Sequence, residues 1–196
     1  IPDGSVLDGE IIAWNGQKPL DFNILQKRIG RKKVSKSLIE TAPIIFIAYD
    51  LLEFEGRDIR NQTLELRRSK LVKLINLIPK DLPIKFSAEI RSKTWTDLTC
   101  TREASRAQKA EGIMLKNKNS EYYSGRKKGD WWKWKLDPLT IDGVLIYAQA
   151  GHGRRANLYT DYTFAVWSDE HLVPFTKAYS GLKDEEFRQI TSWVKK

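Results

Sequence analysis

In the segment Trp131-Trp132-Lys133-Trp134-Lys135, aromatic and cationic side chains alternate. Successive side chains of an extended strand point to opposite faces, so Lys133 and Lys135 project on one side and Trp132 and Trp134 on the other. Two ammonium groups converging on one face suit an anionic phosphorus centre; an edge strand defended by lysines has the same pattern. The interleaved tryptophans can anchor the strand, so that the ammonium groups are held in place. Upstream, Asp8 and Glu10 share a face of a strand expected over 7–14, where acids are often simply solvated. Glu111 opens Glu111-Gly112-Ile113-Met114-Leu115-Lys116, where a carboxylate can hold a metal ion or merely cap the strand start. From Lys116 to Lys135 there are seven basic residues (Lys116, Lys118, Arg126, Lys127, Lys128, Lys133, Lys135) against Glu121 and Asp130, interleaved with Tyr122, Tyr123, Trp131, Trp132 and Trp134. A basic run alone reads as a solvated loop, but cations set among aromatic rings fit a phosphate-bearing partner with bases to stack.

Other chemistries are excluded or set aside. Cys100 is the only cysteine, which rules out an intrachain disulfide and a Cys-rich zinc site, and with His152 and His171 as the only histidines a Cys/His catalytic pair is poorly supported. Gly151-His152-Gly153-Arg154-Arg155-Ala156 fits the dinucleotide pattern G-x-G-x-x-A, yet residues 157–167 are β-branched and aromatic and cannot open the required helix. A hairpin loop whose Arg154 and Arg155 touch nucleic-acid backbone is expected there. No G-x-x-x-x-G-K-[ST] phosphate loop occurs, so a nucleotide site must be built from strand-borne side chains.

The elements that must position these residues follow from periodicity. Strands are expected at 7–14, 44–52 and 84–90, with a turn at Glu55-Gly56-Arg57-Asp58. A helix capped by Asp21 places Phe22, Leu25 and Ile29 at helical spacing and runs into Arg31-Lys32-Lys33. A second helix over 63–78 carries Leu64, Leu71, Leu74, Ile75 and Ile78 on one face and stops at Pro79; a third, polar one covers 97–110. Short strands at 111–116 and 131–135 flank the basic loop. After Asp137-Pro138 the pattern turns alternating and aromatic, with strands at 143–150, 158–167 and 172–179 and a helix at 184–194 burying Phe187, Ile190 and Trp193 or Val194. The chain therefore divides near 137/138 into a mixed α/β domain and a small antiparallel β module.

With 196 residues, 41% hydrophobic and 30% charged, the chain can bury a sizeable core and is too rich in apolar residues for a disordered segment. The excess of 34 Lys+Arg over 25 Asp+Glu, net charge +9, fits a polyanionic partner. No apolar run reaches bilayer length and no signal segment opens the chain, so a cytoplasmic protein without membrane contact is the expectation.

Taken in order, Leu7-Asp8-Gly9-Glu10, Phe46-Ile47-Ala48-Tyr49-Asp50-Leu51-Leu52, Glu111-Gly112-Ile113-Met114-Leu115-Lys116 and Trp131-Trp132-Lys133-Trp134-Lys135 resemble successive nucleotidyltransferase motifs of ATP-dependent DNA ligases. Asp137-Pro138-Leu139-Thr140 and Gln149-Ala150-Gly151-His152-Gly153-Arg154-Arg155 are similar to the start of the oligonucleotide-binding (OB) domain of the bacterial enzymes. The family's K-x-D-G motif, which carries its reactive lysine, and its R-F-P-R motif are both missing. The expectation is thus a fragment: an α+β, ATP-grasp-like nucleotidyltransferase (adenylation) domain at 1–137 lacking its N-terminal part, then a partial OB-fold β-barrel at 138–196.

The resemblance implies a monomeric bacterial enzyme, associated with the nucleoid, that uses ATP and Mg²⁺ to form lysyl-AMP, passes AMP to the 5′-phosphate of nicked double-stranded DNA and seals the nick in repair, recombination or replication. It assigns Lys133 and Lys135 to the α-phosphate, Glu111 to Mg²⁺, Glu10 to the ribose hydroxyls or the metal shell, and Tyr49 to stacking on adenine. Lys127, Lys128, Arg154 and Arg155 fall to DNA, and the fragment alone is expected to be inactive for want of the lysine. An RNA ligase or mRNA-capping guanylyltransferase shares this chemistry, and a non-catalytic nucleic-acid-binding module shares the charge.

Overall fold

The apolar run that begins at Ile44 becomes the longest strand of the molecule, β2 (Ile44–Phe54), and the first part of the chain is organised around it. The computed structural model describes residues 1–196. β1 (Val6–Ala13) pairs antiparallel with β2, from Val6 opposite Glu53 to Ala13 opposite Ile44, with irregularities after Val6 and Asp8. Gly9 faces Phe46 so closely that a Cβ there would lie 2.5 Å from its ring and from the Ile47 carbonyl oxygen. The glycine of Leu7-Asp8-Gly9-Glu10 is thus a packing requirement. The helix expected to follow is a short one, α1 (Phe22–Gln26), and a helix not foreseen, α2 (Lys36–Thr41), is capped by the Ser35 hydroxyl accepting from the Leu38 N–H.

At the expected turn only Glu55 and Gly56 reverse the chain, both at positive φ; Arg57–Asp58 then pairs back on β2 as β3. α3 (Leu64–Leu77) is capped by Thr63 and buries Leu71, Leu74 and Ile75 against Ala48 and Leu51 of β2 together with Ile59 and Ile78. β4 is shorter than expected, Ile84–Phe86, and runs parallel to β2. Its ladder ends where the Ser87 N–H donates to the Ala48 carbonyl, beyond which Glu89 pairs with Arg91 and Lys118. α4 (Trp95–Ala104) starts at the Thr94 cap and gives way to a 3₁₀ turn, Ser105–Gln108, that ends in left-handed Lys109.

β5 (Gly112–Lys116) and β6 (Trp131–Lys135) form a separate antiparallel pair. A Cβ on Gly112 would lie 2.3 Å from the Trp134 carbonyl oxygen, so the second motif glycine also permits close approach of two strands. Beyond it, β7 (Val144–Ala150), β8 (Tyr159–Ser168) and β9 (His171–Ala178) make an antiparallel meander with β8 central. The 151–158 loop joins β7 to β8 with a single 3₁₀ turn, Gly153–Arg155, instead of opening a helix. α5 (Asp184–Val194) buries Phe187 against Tyr162, ring centroids 6.4 Å apart, while Trp193 stays two-thirds exposed. The chain separates into two compact units, Ile1–Asp137 and Pro138–Lys196. No helix is long and apolar enough to cross a membrane.

Candidate active site

The register of β5 against β6 sets Met114 opposite Lys133, Gly112 opposite Lys135 and Lys116 opposite Trp131. Paired residues share a side, so Met114, Lys116, Trp131, Lys133 and Lys135 occupy one face of the pair. On the other face Trp134 meets Trp95 edge-on at 6.0 Å and lies under the Arg102 guanidinium, whereas Trp132 is more than half exposed. Trp134 is held by these contacts and Trp131 by donating from Nε1 to the Ser120 hydroxyl, while the exposed Trp132 donates from Nε1 only to the nearby Gly129 carbonyl oxygen.

At one end of the shared face, Lys135 Nζ lies 2.6 Å from Glu111 Oε2. The Glu111 carboxyl is held below the usual carboxylate range by Lys135, with Lys133 adding to the effect. One carboxylate and two ammonium groups thus converge here, all exposed to solvent. Glu111 is paired with a proposed phosphate ligand, a relation that alternation along one strand cannot reveal.

At the other end, Lys116 Nζ sits 3.8 Å from the Trp131 ring centroid and 4.4 Å from that of Tyr49. Burial pushes this lysine down to about 8, against the pull of Asp50 and Asp8. Tyr49 is half-buried on β2; burial first, and then the Asp8 carboxylate of β1, raise the phenol far above its ordinary value. Glu10, exposed two residues beyond Asp8, contributes in the same direction. Tyr122, from the basic loop, donates its hydroxyl to Asp8 Oδ2 at 2.8 Å and packs edge-on against Trp131. Burial and Asp8 push the Tyr122 phenol up to about 12.

Below this cluster lies an ion pair with no exposed surface. Arg67 Nε donates to Asp50 Oδ1 at 2.8 Å and Nη2 to Oδ2 at 2.9 Å, while Nη1 serves the Ser120 and Gln62 carbonyl oxygens. Arg68 holds the Tyr49 backbone, donating from Nη1 to its carbonyl oxygen at 3.2 Å. The sequence did carry a signal for the buried pair: Arg67 stands on the same helical face as Leu64, Leu71 and Leu74, and Asp50 lies inside an apolar strand, positions that require a charged partner.

The remaining basic residues divide by environment. Lys127 and Lys128 are exposed, the former with Nζ 3.5 Å from the Tyr123 ring centroid. Arg155 is tied to Asp184 at the start of α5 through Nε at 2.9 Å and also through Nη2, and covers the Phe187 ring; Arg154 reaches the same carboxylate only at 3.7 Å and is 78% exposed. Arg155 is thus the more tightly held of the two in the 151–158 loop, and Arg154 the more exposed. Accordingly, Arg155→Ala is expected to lower the thermal unfolding midpoint of the chain while Arg154→Ala leaves it in place. Calorimetry that found the two equally stable would contradict this division.

For a divalent cation the residues present offer a partial site. No group of three or more His, Cys, Asp or Glu side chains forms a protein-built cage. A single ionised carboxylate such as Glu111 suits Mg²⁺, which binds through one or two carboxylates and completes its shell with water and substrate phosphate.

Residues 2–135 match the family model described as "ATP dependent DNA ligase domain". A probable DNA ligase of Koribacter versatilis (strain Ellin345) is 33% identical over 210 residues, spanning 97% of this chain and 36% of that protein. DNA ligase 1 of Korarchaeum cryptofilum (strain OPF8) is also 33% identical, over 189 residues that span 95% of this chain and 34% of the relative. The chain spans about a third of the length of these two relatives. Among solved structures, a Lig E DNA ligase, described as binding DNA with a minimal scaffold, superposes with TM-score 0.65 at 18% identity, covering 95% of this chain and 79% of that one. The ligase domain of M. tuberculosis LigD gives TM-score 0.51 at 22% identity, covering 97% and 55%. These two likenesses are of fold.

Proposed function

The chain belongs to the ATP-dependent DNA ligase domain family, and from that premise we propose that it supplies the nucleotide-binding and DNA-contacting parts of an enzyme that seals nicks in double-stranded DNA. In this reading residues 1–137 are an adenylation (nucleotidyltransferase) domain and 138–196 belong to an OB-fold. The observation that carries the reading is the single face of the β5–β6 pair, which joins an aromatic end at Tyr49 and Trp131 to a charged end at Lys133, Lys135 and Glu111. Lys133 lies two residues from Trp131, roughly 7 Å along the strand. Adenine stacked on Tyr49 would thus place its α-phosphate toward Lys133 and Lys135.

Each side chain then has a defined task. Lys133 and Lys135 meet the charge that develops on the α-phosphate, and their strand anchors, Trp131 and Trp134, keep them oriented before the reaction begins. Glu10 takes the ribose hydroxyls or joins the metal shell. Glu111 would hold Mg²⁺, which when bound neutralises phosphate oxygens. Lys127, Lys128 and Arg154 contact DNA phosphates, where they position the duplex without reading its sequence.

Because the chain contains no K-x-D-G lysine, it is expected to bind ATP reversibly and to form no acid-stable covalent AMP. Incubation with α-labelled ATP and Mg²⁺, alongside nucleotide titration of tryptophan fluorescence, checks both halves. Covalent labelling would place a nucleophile within this chain. Binding of nicked duplex with no binding of adenine nucleotide would replace the enzyme reading by that of a nucleic-acid-binding module.

A further inference from the structure

We propose that Lys116 is a positioning residue for the base platform, its ammonium group clamped between the Tyr49 and Trp131 rings so that Tyr49 is fixed in the orientation that receives adenine. The inference rests on the stacking role assigned to Tyr49. Lys116 differs from Lys133 and Lys135 in kind: they are exposed, whereas it is largely withdrawn from solvent, with ring centroids at 3.8 and 4.4 Å on either contact. A desolvated cation over aromatic faces is held more strongly than an exposed one. Tyr49 is restrained at two points: Arg68 at its carbonyl oxygen and Lys116 at its ring. Trp131, the second wall of the clamp, belongs to the strand that carries Lys133 and Lys135. The same ammonium group therefore sets the base platform in register with the phosphate ligands, across strands that do not pair with each other.

Charge is part of this role. The groups facing Lys116 are Asp8 from β1, Asp50 and Tyr49 from β2, and Arg67 and Arg68 from α3, with Trp131 and Tyr122 completing its surroundings. Burial pushes Lys116 down to about 8, so it is cationic at neutral pH and loses its charge as pH rises through that value. The two neighbouring phenols, both raised, stay protonated across this range.

The test is AMP binding by the chain, read from tryptophan fluorescence, in a double-mutant cycle. Lys116→Met keeps the length and removes the charge, and is expected to weaken AMP about tenfold. Lys116→Arg, which can sit over the same rings, is expected to restore most of the affinity. In a Tyr49→Leu background, Lys116→Met should cost little more, since the ring it positions is gone. Binding of tripolyphosphate, which has no base, should be unchanged by Lys116→Met. Wild-type AMP affinity should fall between pH 7 and pH 9, a range flanking the value of about 8 for Lys116, while the Arg variant stays level; this measurement decides the matter if the Met variant does not fold. If Tyr49→Leu alone leaves AMP binding intact, the stacking role itself fails. If Tyr49→Leu weakens AMP but Lys116→Met does not, costs the same in both backgrounds, or weakens tripolyphosphate equally, the clamp is overturned and the stacking role stands.

Discussion

Arg67→Ala is expected to destabilise the first unit by about 3–5 kcal/mol, the scale for removing one partner of a buried ion pair. Both side chains are fully buried, so the substitution strands the Asp50 carboxylate where water cannot reach it. The loss extends beyond the pair. Arg67 also donates to the Ser120 carbonyl oxygen, which in turn accepts from the Leu64 N–H at the start of α3. Ser120 receives the Trp131 indole N–H through its hydroxyl, and Tyr122 follows two residues later. Arg67 thus joins the sheet core to the loop that carries Lys127 and Lys128. Urea unfolding would measure the effect, and a loss under about 1 kcal/mol would mean that Asp50 finds another partner. The double replacement Asp50→Leu with Arg67→Met should recover much of the deficit, because the desolvation penalty disappears along with the attraction.

Lys133→Ala and Lys135→Ala are each expected to slow adenylyl transfer by about 10²–10³-fold, the scale for removing one preorganised donor from a developing charge. The measurement is single-turnover lysyl-AMP formation in a polypeptide that joins this chain to a K-x-D-G segment. The two lysines should not behave alike. Lys135 is the direct partner of Glu111, whose carboxyl it holds below the usual range, so removing it should also lift the carboxyl and move the acid limb of the pH–rate profile upward. Lys133→Ala should shift that limb less, since Lys133 is the weaker of the two influences on Glu111. Substitution of Lys127 or Lys128 should instead give a smaller, salt-dependent loss of DNA affinity, as expected of exposed phosphate contacts that act through counterion release. Normal adenylation by both Lys133→Ala and Lys135→Ala would reduce the pair to protectors of a sheet edge.

Much of this molecule could be read from residue order alone. The alternation in Trp131-Trp132-Lys133-Trp134-Lys135 determines that the two lysines share a face, because a strand has a period of two whatever it packs against. Thr63, the apolar stripe of α3 and Pro79 delimit a helix by local chemistry, and β-branched and aromatic residues after Arg155 rule out a dinucleotide-binding helix there. Where local signals are weak the expected bounds differ from the structure: β4 stops at Phe86 because its partner ladder ends, and α2 is too short to show a stripe. What only the tertiary structure decided are the contacts between elements far apart in the chain. Asp8 and Tyr122 meet across 114 residues, and Asp50 and Arg67 across 17. Lys116 comes to lie over Tyr49, Glu111 beside Lys135, and Arg155, more closely than Arg154, against Asp184. Periodicity states which way a side chain points from its own strand or helix. Which group it meets depends on strand register and on how separate elements pack, and those follow from the burial of the whole core.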